Sequence, residues 1–198
     1  MKEVDARGLS CPAPVLQTKA ILEQEPLDTI KVIVDNAASQ QNVERFLKSQ
    51  GFKTTLSKEG DDFTIVGKSG AKTAPQAAPA PTSTGGGQQI MVMCTTDRMG
   101  FGDDELGLKL MVNFIRTLKE MGPDLWRLVL VNNGVKLTIE GSAVLSELQA
   151  YEKEGITILV CGTCLEHFKL LERKQVGITT NMLDIVTAMQ LADKVISI

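Results

Sequence analysis

The residues of this chain best suited to chemistry are its four cysteines, Cys11, Cys94, Cys161 and Cys164. Cys11 is followed at once by Pro12 and again by Pro14. Proline is favoured at the first position of a helix, because its missing N–H would be unpaired there and its φ is preset. The spacing therefore predicts Cys11 just before a helix that Pro12 begins. A sulfur in that place meets free backbone N–H groups and the positive end of the helix dipole. Such a field stabilises a thiolate, and a persulfide anion equally, and lowers a cysteine pKa below its ordinary ~8.5. Gly8 lets the preceding strand turn into the helix. The plainer alternative is a thiol packed beneath the loop. Haem ligation through the Cys-Pro pair is a weak rival, with no companion ligand nearby.

The second constellation is Cys161-Gly-Thr-Cys164, at the end of the apolar run Ile156-Thr-Ile-Leu-Val160. In open α/β sheets, ligands bind outside the carboxyl ends of the strands. Asn132-Asn133-Gly134 ends another apolar run on the same edge, and residues 97–104 follow the first run, so three loops are expected to share a crevice. The C-x-x-C pair admits three readings. One is a redox disulfide, although the proline loop of a thioredoxin-like site is missing. Another is a metal site with His167, which lacks the fourth ligand that structural zinc requires. The last is a sulfur-transfer thiol at Cys161, with Cys164 assisting or resolving and Asn133 and Gly134 supporting. Outside the metal reading, His167 is an exposed residue on the following turn, and Cys94 reads as a buried strand cysteine.

Two sets of elements hold these residues. Before residue 70 the pattern reads as a short strand at Val4 and a helix over residues 12–24 with Val15, Thr18 and Leu22 on one side. A β-branched strand over 30–34 follows, then a helix capped by Asn36, in which Val43, Phe46 and Leu47 keep i, i+3, i+4 spacing and which Gly51 stops. Two alternating strands, over 52–57 and 63–66, flank a turn at Glu59-Gly60-Asp61. The order βαβαββ predicts a two-layer sandwich with helices on one face of a four-stranded sheet. Residues 71–88, AKTAPQAAPAPTSTGGGQ, carry no large apolar group and read as a linker whose span is on the order of 25 Å. From residue 89 the apolar runs lengthen. Strands at residues 88–96, 125–134 and 156–164 alternate with helices over 102–122, lined by Leu106, Leu110, Phe114 and Leu118, and over 142–154. A last helix capped by Asn181 and a strand over 194–198 complete βαβαβαβ. This is an α/β pattern for a small doubly wound parallel-sheet domain. The domains are therefore expected at 1–70 and 89–198.

The segment Asp5-Ala-Arg-Gly-Leu-Ser-Cys-Pro-Ala-Pro14 resembles the TusA/SirA sulfur-carrier family, with Asp5, Gly8, Leu9, Cys11, Pro12 and Pro14 matching its motif. The resemblance implies a βαβαββ sandwich and a Cys11 that accepts sulfane sulfur as a persulfide and hands it on. Residues 89–198 resemble the DsrE-like (DsrE/DsrF, YchN) family, where Cys161 matches the cysteine after this strand. That likeness implies a sulfur carrier or relay that forms homo- or hetero-oligomers. The fused pair is similar to YedF-type proteins, linked to selenium metabolism. It implies a cysteine desulfurase or other persulfide donor and a downstream sulfur or selenium acceptor as partners. Because relay members of the second family work with separate subunits, their partners do not transfer directly to a fused chain.

Composition narrows the classes. With 21 Lys and Arg against 24 Asp and Glu, the chain has a net charge of −3 and no basic run, so nucleic acid is not an expected partner. Aromatic residues make up 4%, too few for base-stacking platforms. No apolar run reaches the ~20 residues of a membrane span. The charged start, Lys2, Glu3, Asp5 and Arg7, does not read as an export signal. A cytoplasmic setting with reduced thiols is expected, and no cofactor is expected.

Overall fold

In the computed structural model, which describes residues 1–10, 12–69 and 87–198, the first strand, β1, spans Lys2–Asp5. It lies parallel to β2, Thr29–Val34, with Val4 opposite Val32. Ile30, Val32 and Val34 are fully buried and alternate with half-exposed partners, as one covered face of a sheet requires. Helices α1, Ala13–Gln24, and α2, Ala37–Ser49, connect the strands. The Asn36 side chain caps α2 by accepting the Ser39 N–H at 2.7 Å. Strands β3, Phe52–Glu59, and β4, Asp62–Ser69, form a hairpin in which Glu59 faces Asp62 across Gly60 and Asp61. Gly60 takes φ of +63°, which a two-residue hairpin loop demands. The sheet order is β1-β2-β4-β3. Val15, Val43 and Leu47 of the helices are buried with Ile30, Val32 and Ile65 of the strands.

Two expectations shift here. Helix α1 begins one residue late: Pro12 is its cap, with φ −97° and ψ 13°, and Ala13 is its first residue. The expected linker, apart from Gly87 and Gln88, lies outside the described residues, and so does Cys11.

The second compact unit is built on five parallel strands in the order β8-β7-β6-β5-β9. These are β5, Ile90–Cys94; β6, Leu125–Leu130; β7, Thr157–Cys161; β8, Ile178–Thr180; and β9, Lys194–Ser197. Helices α3, Asp104–Thr117; α4, Leu145–Lys153; and α5, Gly162–His167, lie in the connections from β5 to β8. Helix α6, Met182–Leu191, is capped by Asn181 and leads to β9 at the other edge. Right-handed crossovers that reverse direction put α6 on the opposite sheet face from α3 and α4, so the sheet is doubly wound. Every residue of β6 is buried, as a strand covered on both faces requires.

The sequence pattern missed β8, whose three residues are too few for a periodicity. It also chose the wrong stripe of α3. Gly107, Met111 and Ile115 face the core, whereas Leu106 and Leu110 are 54% and 41% exposed. Phe114 is half-buried and Leu118 is buried just beyond the helix. Asn132-Asn133-Gly134 belongs to a 3-10 turn, Asn132–Thr138, because β6 has already ended at Leu130.

One buried hydroxyl ties the helices of this unit together. Tyr151 donates to the Ile115 carbonyl at 2.6 Å and accepts the Lys119 N–H at 3.1 Å. Burial pushes its phenol pKa up. Tyr151→Phe leaves both backbone groups without this partner, and a loss of about 1–3 kcal/mol is expected. Thermal melting of the variant checks it, with a fall on the order of 5–10 °C.

Candidate functional site

The chain around the first cysteine is fastened from both sides. Arg7 clamps Asp5 with Nε to Oδ1 at 2.9 Å and Nη2 to Oδ2 at 2.6 Å, and its Nη1 reaches Asp62 Oδ2 at 2.9 Å. The side-chain hydrogen bond from Arg7 holds the Asp5 pKa down at about 2, with the Arg7 N–H and the guanidinium charge adding to it. Gly8 turns the chain with φ of +71° and donates its N–H to Asp35 Oδ2 at 2.6 Å. Asp35 follows β2, so this bond ties the loop to the sheet. Beyond the loop, Ala13 N–H donates to Ser10 O at 2.9 Å and Leu16 N–H to Pro12 O at 3.0 Å. Pro14 is buried in the first turn, and its carbonyl accepts the buried Thr18 hydroxyl at 2.8 Å. Helix α1 has neither a side-chain cap nor an acidic residue in its first turn, so its N-terminal field is not neutralised by its own side chains. The sequence pointed to Asp5, Gly8, Pro12 and Pro14. It gave no warning of Asp35 or Asp62, which join the loop only through the sheet.

The second pair stands at the carboxyl end of β7. Cys161 is its last residue and is 5% exposed, whereas Cys164 is only partly buried in the first turn of α5. Both are free thiols. The Cys164 pKa falls to about 6; a hydrogen bond from Cys161 contributes most, partial burial opposes it, and the Asn132 N–H and the charge of His167 assist. The Asn132 N–H lies 3.1 Å from Cys164 Sγ. Asn132 has φ of +49°, a conformation that few residue types other than glycine adopt. Its backbone, rather than the Asn133 side chain, reaches the thiol. The Asn-Asn-Gly run was the available signal, since Asn tolerates left-handed backbone.

Gly134 locks that turn to the neighbouring strand. A Cβ on it would fall 2.2 Å from the Cys94 carbonyl oxygen. The same oxygen accepts the Val131 N–H at 3.0 Å. Cys94 itself is fully buried, and burial pushes its thiol up to about 12. The turn at Asn132–Thr138 thus meets Cys164 on one side and the start of the loop after β5 on the other, where the Thr96 carbonyl oxygen lies 3.5 Å from the same Cβ position on Gly134. Further along that loop, Arg98 pairs with Asp97 at 3.1 Å and with Asp104. His167 is exposed at the end of α5, edge-on to Phe168. Among the described residues, no three His, Cys, Asp or Glu side chains group as a metal site would need, and no helix is long and apolar enough to cross a membrane.

Comparison with known proteins gives a family for the first unit. The family described as Sulfurtransferase TusA matches residues 2–69. A candidate sulfur carrier protein of Methanocaldococcus jannaschii is 36% identical over 68 residues, which cover 33% of this chain and 91% of that protein. Through this segment, the chain belongs to the TusA family. Among solved structures, a SirA-like protein of Desulfitobacterium hafniense is 27% identical and matches with a TM-score of 0.33, covering 36% of this chain and 100% of its own. The ychN protein of E. coli is 19% identical with a TM-score of 0.44, covering 56% of this chain and 99% of its own. A Bacteroides thetaiotaomicron protein of unknown function is 18% identical with a TM-score of 0.41, covering 56% and 95%.

Proposed function

We propose that this chain is a sulfur carrier with two stations, in which Cys11 accepts sulfane sulfur as a persulfide and passes it to the Cys161–Cys164 pair or to a partner protein. The family match over residues 2–69, which includes Cys11-Pro12-Ala13-Pro14, is the observation that carries this reading. An uncompensated helix start beside Pro12 supports it, because a persulfide anion there would be stabilised. Residues 1–70 and 89–198 act as separate domains joined by 71–88. A cysteine desulfurase or similar persulfide donor loads Cys11, and an acceptor protein receives the sulfur. Selenium can travel the same route, since a selenol ionises more readily than a thiol. The C-terminal domain self-associates; exposed Leu106 and Leu110 on α3, and Met182, Val186 and Met189 on α6 on the opposite face, are the apolar surfaces such contacts would cover.

The hydrogen bond between Cys161 and Cys164 also favours a second reading, a dithiol redox protein. The test is mass spectrometry of each cysteine after incubating the full chain with a cysteine desulfurase and free cysteine. A persulfide is expected on Cys11 first and on the C-terminal pair later, with Cys11→Ser abolishing both. Cys11 loaded without onward passage would leave a simple carrier. A Cys161–Cys164 disulfide with no sulfane sulfur anywhere would favour the redox protein.

A further inference from the structure

We propose, building on the relay reading, that Cys164 rather than Cys161 is the thiol of the C-terminal unit that takes up sulfane sulfur, and that Cys161 and the Asn132 N–H position its charge. The motif resemblance assigns this role to Cys161. The geometry points the other way.

Attack on an incoming persulfide requires a sulfur that the donor can reach. Cys161 is the last residue of a buried strand and 5% exposed. Cys164 lies a turn further on and is only partly buried. Attack also requires an anion, and the groups around Cys164 are arranged for one. Cys161 on β7 gives it a hydrogen bond. The turn at Asn132–Thr138 gives it the Asn132 N–H at 3.1 Å, held by a left-handed backbone that Gly134 fixes against Cys94. That turn also brings Lys136, whose Nζ stands 4.7 Å over the Phe168 ring. Helix α5 brings Glu166 and His167, and His167 is the one whose charge favours the anion. A thiolate with a pKa near neutral combines a large ionised fraction with good intrinsic nucleophilicity.

The step balances without an outside reductant. Cys164 thiolate attacks the outer sulfur of Cys11–S–SH. A new sulfur–sulfur bond forms at Cys164 Sγ, the Cys11 sulfur–sulfur bond breaks, and Cys11 leaves as a thiolate. The proton stays on the transferred sulfur, whose oxidation level does not change. Cys161 stays a thiol throughout and acts as a positioning residue.

Site-resolved alkylation of the wild-type full chain with iodoacetamide from pH 5 to 9 is the first test. Cys164 is expected to label with a midpoint near pH 6 and at least tenfold faster than Cys161 at pH 7. Equal rates, or a faster Cys161, would overturn the proposal. Cys161→Ala should move the Cys164 midpoint up by a pH unit or more, about a fivefold or larger loss of labelling at pH 6, and Cys161→Ser should restore it because a hydroxyl also donates. Ala and Ser acting alike would remove the positioning role. Glutathione persulfide given to the Cys11→Ser chain then separates the two ideas. Sulfane sulfur on Cys164 from this donor, but never from a loaded Cys11 in the wild type, would sink the relay and leave the assignment standing. Sulfane sulfur reaching Cys161 in Cys164→Ser as fast as it reaches Cys164 in Cys161→Ser would sink the assignment alone.

Discussion

Gly134→Ala is expected to lower the melting temperature of the C-terminal unit by on the order of 10 °C or more, a loss of roughly 2–4 kcal/mol. The added Cβ would lie 2.2 Å from the Cys94 carbonyl oxygen and 3.0 Å from its carbon. Both are backbone atoms of β5, which is paired with β6 on one side and β9 on the other. No rotamer change relieves such a contact; either the turn or the strand must move. Moving the turn also displaces the Asn132 N–H from Cys164, so the Cys164 labelling midpoint should rise together with the loss of stability. Gly141→Ala is the control. Gly141 has φ of +86° but open space around it, so it pays only the conformational strain, about 1 kcal/mol. If calorimetry finds Gly134→Ala no worse than Gly141→Ala, the close approach is not rigid.

Leu47→Ala is expected to act on the other unit alone. Leu47 is fully buried on α2, and its Cδ1 lies 3.3 Å from the place a Cβ on Gly67 would occupy, with Ile30 and Phe52 around the same point. Gly67 leaves a hollow on β4 that Leu47 fills. Truncating a buried leucine costs about 2–5 kcal/mol. A unit of some 70 residues has only about 4–10 kcal/mol to lose, so the variant should give up a large share of the stability of its N-terminal part. Hydrogen exchange read segment by segment should show lost protection across residues 1–69 and unchanged protection in β5 to β9. Loss of protection in both parts would contradict the two-domain reading. Protection kept in both would mean that the hollow collapses around the smaller side chain.

Much of the architecture could be read from local pattern. Alternating Ile30, Val32 and Val34 specify a strand with one covered face, and Asn36 specifies the start of α2, because a short polar side chain satisfies a free N–H there. The continuous apolar run of β6 implies cover on both sides. The cysteine motif before α1 and the C-x-x-C after β7 were visible as candidate chemistry for the same reason: residue type and spacing are local properties.

What tertiary structure decided is of another kind. Two apolar stripes run along α3, one residue apart, and only docking on the sheet buries Met111 and Ile115 and exposes Leu106 and Leu110. The three residues of β8 are too short to show a period, and they become a strand because β7 offers an unpaired edge. Asp35 and Asp62 reach the first loop only through strand pairing. The ordering of the two thiols is the sharpest case. In sequence, Cys161 and Cys164 differ by three positions and nothing else. In the fold, one ends a buried strand and the other faces an N–H from a turn some 30 residues away in the chain. Burial and electric field depend on what surrounds an atom in space, and those neighbours come from distant parts of the chain.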